Sequence, residues 1–315
     1  MKSFLISIDT EGDNLWAWKR GDEITTCNAG YLERFQSLCN EFGFKPTYLT
    51  NYEMAMSEEF VGFAKRHLDL GEAEIGMHLH AWNTPPDHDL GSLNPNPGAP
   101  YLIEYPEEVM DSKIATMTSL LENVFERNIQ THRAGRWATD QRYFKLLHDR
   151  GYRFDCSVTP HIDWKGHPRE SEGSCGSDYT AKPEKAHRII DGKEPLYEIP
   201  CTVRLCRRYF SPRKKTLRGY AGSICRMLSG DFLWLRPDGR NLDKMLWLLD
   251  HVYCDGESDY IMFMLHSSEF MPGGSPTFRT EEDIENLYRD IEAVFSHASK
   301  AFEGRTIGEY GRSLP

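Results

Sequence analysis

Short apolar runs rich in β-forming residues alternate with longer amphipathic stretches along almost the whole chain, and that alternation leaves few folds open. Runs 3–8, 46–50, 73–79, 129–134, 152–158, 196–203 and 260–266 have the length and turn-residue borders of strands. Helical patterns fall at about 30–42, 57–69, 107–126, 139–150, 241–253 and 281–301. In the last, Ile284, Leu287, Tyr288, Ile291, Val294 and Phe295 recur at helical spacing with charges between them. Such alternation predicts a parallel sheet wrapped by helices. The 315 residues, 39% hydrophobic, are enough for one α/β barrel occupying a single domain, 1–315. Two Pro/Gly-rich stretches, 83–106 and 159–195, interrupt the pattern. They contain Tyr101, Trp164 and Tyr179, so they read as loops over an active face and not as domain linkers.

A formal net charge of −11 argues against nucleic-acid binding, which needs a basic footprint. One stretch runs the other way: between 204 and 226, Arg204, Arg207, Arg208, Arg213, Lys214, Lys215, Arg218 and Arg226 accumulate without an acid. A solvated helix face is its plain reading and contact with phosphate the alternative. The apolar run after Lys2 is about five residues long, below the roughly 7–15 of a leader core and far below a membrane span, which sets a cytoplasmic expectation with no integral membrane segment. The eight cysteines contain no C-x-x-C pair, and in a chain of this length they read as mostly reduced, buried small hydrophobes. Oligomeric state is not legible.

Chemistry-bearing side chains gather at the ends of the strand candidates, where α/β folds bind their ligands. The first strand runs into Asp9-Thr10-Glu11-Gly12-Asp13. The third contains His78 and His80, two apart on a strand and so on one side of it. Two imidazoles and a carboxylate from Asp9 or Glu11 make a three-ligand set with room for water, the donor set of a catalytic divalent ion. The later strand ends carry Arg133 and Arg136, Asp155, and His266. An Arg beside a carboxylate keeps it ionised and oriented, and a His can titrate near neutrality. Trp82, Trp137, Trp164 and Tyr179 lie in or beside the active-face loops, where aromatic rings stack well on sugars; core or loop packing is the competing reading of each.

The order of these segments resembles the polysaccharide deacetylase family (carbohydrate esterase family 4), from Phe4 to about Ile307. Ser7-Ile8-Asp9-Thr10-Glu11-Gly12 is similar to its first motif, Glu74-Ile75-Gly76-Met77-His78 to its second, Arg133-Ala134-Gly135-Arg136 to its third and Leu265-His266 to its fifth. The resemblance implies a distorted (β/α) barrel of about seven parallel strands and one divalent metal, zinc first, with nickel, cobalt or manganese as substitutes. It implies Asp9 as base, Glu11, His78 and His80 as metal ligands, Arg133 or, less favoured, Arg136 steadying the base, and His266 as acid, paired with Asp155. Two spacings depart from the family: Asp9 and Glu11 are separated by Thr10 where the family has adjacent acids, and Trp82 stands where its second metal His usually lies. Asp-x-Glu and His-x-His therefore mark a divergent branch. The expected activity is removal of an acetyl group from an acetylated sugar, an intermediate of surface polysaccharide or lipopolysaccharide assembly. The alternatives are a catalytically silent carbohydrate-binding protein on the same barrel and another metal-dependent hydrolase, such as a C–N amidohydrolase.

Overall fold

A computed structural model describes residues 1–93, 100–167, 169–206, 231–255 and 258–315. Numbered in chain order, its strands are β1 (Lys2–Thr10), β2 (Pro46–Thr50), β3 (Glu74–Leu79), β4 (Thr131–Ala134), β5 (Phe154–Asp155), β6 (His187–Ile190), β7 (Leu196–Glu198), β8 (Val203–Cys206), β9 (Asp231–Trp234), β10 (Tyr260–His266) and β11 (Phe302–Gly304). The helices are α1 (Leu32–Glu41), α2 (Tyr52–Ala55), α3 (Glu58–Asp69), α4 (Glu107–Phe125), α5 (Gln141–Asp149), α6 (Leu242–Asp255), α7 (Glu281–Ala298) and α8 (Ile307–Gly311). The main sheet runs β10-β1-β2-β3-β4-β5-β7-β6, every pair parallel except β6 against β7, and β11 flanks the start of β1. The curled sheet of parallel strands is a distorted (β/α) barrel. Each strand candidate of the sequence is present, although 152–158 contributes only two ladder residues and 196–203 three before the chain turns into β8. Strand β6 lies inside the stretch read as a loop, and the separate β8–β9 ladder was not foreseen.

Alternation along the strands separates two packing layers. In β1, Phe4, Ile6 and Ile8 face the helices, while Leu5 belongs to the inner cluster with Leu49, Phe154, Tyr260 and Met262. The outer layer is dense in aromatic rings. Phe295 of α7 touches Phe4, Phe35, Phe42, Phe44 and Phe263 with centroids 5.2–6.2 Å apart. At the amino end of the barrel, Glu74 accepts from Thr47 Oγ1 (2.9 Å), Thr131 Oγ1 (2.5 Å) and the Gly308 N–H (2.8 Å). Ile307 and Tyr310 of α8 pack into the inner cluster there and plug that end.

Among the described residues the hydrogen-bonded path does not close between β7 and β10. The chain beyond β7 bridges that seam piecemeal: the Tyr260 hydroxyl donates to Pro200 O (2.7 Å), the Met262 N–H to Thr202 Oγ1 (2.8 Å) and the Met264 N–H to Leu235 O (3.2 Å). Without these partners the inward edge of β10 would carry buried, unsatisfied backbone groups. Of the basic stretch, Arg204 pairs with Glu184 at 3.0 Å; positions 207–226 lie outside the described residues. Among the described residues every cysteine is free, and no helix is long and apolar enough to cross a membrane.

Replacing Phe295 by Ala should cost about 3–5 kcal/mol, the usual penalty for emptying a packed aromatic site. Urea unfolding checks it; a loss below about 1 kcal/mol would mean that α7 does not anchor the outer layer.

Candidate active site

The same alternation that sends Phe4, Ile6 and Ile8 outward sends Ser7 and Asp9 inward, and Glu11 continues that side past the end of β1. Register places Asp9 opposite His266 of β10, and His78 of β3 opposite Arg133 of β4. All of these sit at the carboxyl ends of their strands. There Asp9, Glu11, His78, His80 and His266 line one cavity of about 320 Å³, together with Trp16, Trp82, Tyr101, Arg136, Trp137, Trp164 and Arg236, while Arg133 is buried behind it. A ligand-sized cleft at this end is where the barrel architecture concentrates function.

Glu11, His78 and His80 converge on one point. His78 Nε2 and His80 Nε2 are 3.0 Å apart, and Glu11 Oε2 lies 3.5 Å from the first and 3.2 Å from the second. Donors bound at 2.0–2.1 Å around a tetrahedral zinc ion stand ~3.3 Å from one another, so the three edges fit such an ion. The tautomer fits too. His78 Nδ1 is 3.0 Å from the Arg133 carbonyl, an acceptor only, so Nδ1 carries the hydrogen and Nε2 presents its lone pair to the shared point. Burial, with His78, Arg136 and His266 adding to it, holds the His80 imidazole far below its ordinary pKa and therefore neutral. The neighbouring backbone is shaped for this ring: a Cβ on Gly135 would stand 2.4 Å from His80 Cδ2 and 2.5 Å from Leu79 O. Glu11 is pinned through its backbone, its carbonyl accepting from Asn28 Nδ2 (2.8 Å) and Ser267 Oγ (3.1 Å).

Asp9 stands beside this trio, its Oδ2 4.0 Å from His78 Nε2 and 3.8 Å from His266 Nε2. Its other oxygen accepts from Arg133 Nη1 at 2.5 Å. Arg133 is itself fully buried, donating also to Ser7 Oγ (2.9 Å) and to the Cys156 carbonyl (3.0 Å). Burial pushes the Asp9 carboxyl up, but Arg133, His78 and His266 together hold it below the ordinary carboxylate range. Of the two arginines considered from the sequence, Arg133 is the one that grips Asp9. Arg136 lies elsewhere on the cavity wall.

The partner of His266 differs from the expected one. Asp155 follows the inward Phe154 and therefore faces outward, where it bonds His132 Nδ1 (2.5 Å) and Ser157 Oγ (2.9 Å), outside the cavity. Glu269 takes its place. A single helical turn after β10 brings it back so that Oε2 is 3.0 Å from His266 Nδ1 and accepts the His266 N–H at 2.9 Å. Burial raises the Glu269 carboxyl, yet Arg236 (Nη2 at 3.3 Å) and His266 bring it down to about 2. A carboxylate three residues past the strand-end His was a readable signal, since an acid at that position closes a capping box. Arg236 and Trp16, whose Nε1 donates to Ser268 Oγ (3.1 Å), carried no such spacing. Trp82, stacked on His80 at 4.2 Å, and Trp137 and Trp164 line the cavity. Tyr179 does not line it; its hydroxyl is spent on Thr139 (2.9 Å) and the Trp137 carbonyl. The third early acid, Asp13, accepts from Thr25 Oγ1 and from the Asn28 N–H (3.3 Å) and holds a turn.

No protein-family profile matches the chain, and no curated protein matches it by sequence. Solved structures match by fold. A proposed polysaccharide deacetylase from Mycobacterium smegmatis is 13% identical over 99% of this chain and 90% of that one, with a TM-score of 0.54. A 4-alpha-glucanotransferase from Thermococcus litoralis is 12% identical over 99% of this chain and 40% of that one, at 0.56. A GH57 branching enzyme from Thermococcus kodakaraensis is 11% identical over 100% and 71%, at 0.55. Identities this low make the likeness one of fold.

Two outcomes are expected at the bench. After incubation with one equivalent of zinc and gel filtration, elemental analysis should find about one ion per chain, and much less in Glu11→Gln and His80→Ala; Asp9→Asn should retain it. Loss in Asp9→Asn with retention in Glu11→Gln would exchange the roles of the two acids. The second concerns Glu269. Its folded pKa lies below its unfolded value, so its contribution to stability is complete above about pH 5 and lost as pH falls toward 2. The gap in unfolding free energy between the protein and Glu269→Gln should close over that window; a gap constant with pH would remove the ionised Glu269.

Proposed function

We propose that the protein is a metal-dependent hydrolase that removes an acetyl group from an acetylated sugar, a divergent relative of the polysaccharide deacetylases. The observation that carries this reading is the convergence of Glu11, His78 and His80 on one point with Asp9 and His266 beside it, 3.8 Å from each other. The fold is common to structures described as a deacetylase and as α-glucan-processing enzymes. The His-His-Glu donor set favours the deacetylase among them, because such a set with one face open to a cavity is the arrangement of a hydrolytic metal centre.

Glu11 Oε2, His78 Nε2 and His80 Nε2 would hold the ion, zinc in our proposal. Bound there, it supplies the Lewis acidity that polarises an acetyl carbonyl and acidifies water. Asp9, kept ionised and aimed by Arg133, takes the proton of the attacking water. His266 faces the same space from the neighbouring strand. With its Nδ1 hydrogen on Glu269, its Nε2 points toward Asp9 and the cavity, and the Glu269 carboxylate supports the imidazolium that delivers a proton to the departing amine or alcohol. Glu269 and Arg236 are positioning residues acting through His266. The aromatic rings of Trp82, Trp137 and Trp164 offer faces to a sugar ring. An intermediate of surface polysaccharide or lipopolysaccharide assembly is the proposed setting, tested by comparing free, lipid-linked and polymeric acetylated sugars.

Acetate release from acetylated amino sugars, followed with and without chelator, tests the reading. Asp9→Asn and His266→Ala should each lower kcat by roughly 10²–10⁴, the usual worth of general acid–base catalysis, with bound metal unchanged. Glu269→Gln should lower kcat with little change in KM. Turnover indifferent to chelator and to Asp9→Asn would sink the mechanism.

A further inference from the structure

Two arginines line the cavity, and one is committed: Arg236 to Glu269 and His266, while Arg133, buried behind the wall, holds Asp9. Arg136 is the uncommitted one. Among the described residues it makes no ion pair, and its Nε is buried without a hydrogen-bond partner. Its guanidinium faces Tyr101, with Cζ 5.8 Å from the ring centroid; burial raises the pKa of the Tyr101 phenol, and the guanidinium acts against that push. The backbone makes a costly turn to place this side chain: Arg136 (φ 56°) and Trp137 (φ 61°) are consecutive non-glycine residues in the left-handed region. Such conformations are strained for non-glycine residues and cluster at ligand clamps.

A permanent cation with no carboxylate partner, set in an aromatic-walled cavity beside the reacting groups, is matched by an oxyanion. Guanidinium binds carboxylate or phosphate oxygens through paired, charge-assisted hydrogen bonds. A neutral sugar oxygen could accept from the guanidinium but would leave its charge uncompensated. Resting on the deacetylase reading, we propose that Arg136 is the specificity residue for an acetylated sugar that carries an anionic substituent, a carboxylate or a phosphate, on the side of the ring turned toward Tyr101. The chain as a whole carries a net charge of −11, so the preference for an anionic substrate has to be supplied locally.

The test separates binding from turnover. Quenching of tryptophan fluorescence, sensitive to a cavity lined by Trp82, Trp137 and Trp164, reads the affinity of the zinc-loaded protein for N-acetylglucosamine, N-acetylglucosaminuronic acid and N-acetylglucosamine 6-phosphate. Acetate release is followed in parallel. The acidic sugars are expected to bind about 10-fold or more tightly than the neutral one, and Arg136→Gln should erase that margin. The stronger of the two acidic ligands then identifies the substituent. Arg136→Lys, which keeps the charge and loses the fork, guards against a folding defect and should keep only part of the margin. Equal affinity for neutral and acidic sugars, or a margin that survives Arg136→Gln or is whole in Arg136→Lys, overturns the proposal. A margin that depends on Arg136 without acetate release from any sugar supports it and defeats the deacetylase reading alone.

Discussion

The buried pair of Arg133 and Asp9 is the contact around which the carboxyl end of the barrel is organised. Arg133 is fully buried and reaches across the interior from β4 to β1, joining the Asp9 carboxylate, the Ser7 hydroxyl and the Cys156 carbonyl. Removing one member of such a pair leaves a bare charge in a poorly polarisable interior, at a cost of about 3–5 kcal/mol, so each fixes the position of the other. The backbone carbonyl of Arg133 meanwhile sets the tautomer of His78. One residue therefore aims a carboxylate with its side chain and an imidazole with its main chain.

Much of this was legible because it follows from the two-residue period of a strand. Once β1, β3, β4 and β10 are drawn, parity alone sends Asp9, His78, Arg133 and His266 inward, and the strand ends bring them to one level. The same rule explains the failure at Asp155. It sits one residue out of phase with the inner face, beside the equally outward His132, and becomes part of the packing behind the sheet. Glu269 escaped attention because a turn, and not a strand, returns it to His266.

Electrostatic balance in the site is uneven by position. Glu269 and Asp9 are each lowered by an arginine against the upward push of burial, whereas His80 has burial and neighbouring positive groups acting in the same direction. The result is a neutral donor facing the shared point and two ionised carboxylates flanking it. Glu53, behind the Gly12 N–H, shows what the same interior does without a cation: burial lifts its carboxyl to about 7.

The incomplete seam between β7 and β10 is bridged by Thr202, Pro200 and Leu235 in place of a continuous ladder. A closed barrel fixes the register of every strand, so chain inserted at any point must leave and return at the same rung. Here, among the described residues, the return is made through single hydrogen bonds, so the chain between the two strands is not tied to β10 rung by rung. Arg236 enters the cavity from that excursion. The seam is thus the place where a lineage could exchange the reach and charge of its binding wall while the catalytic strands stay as they are.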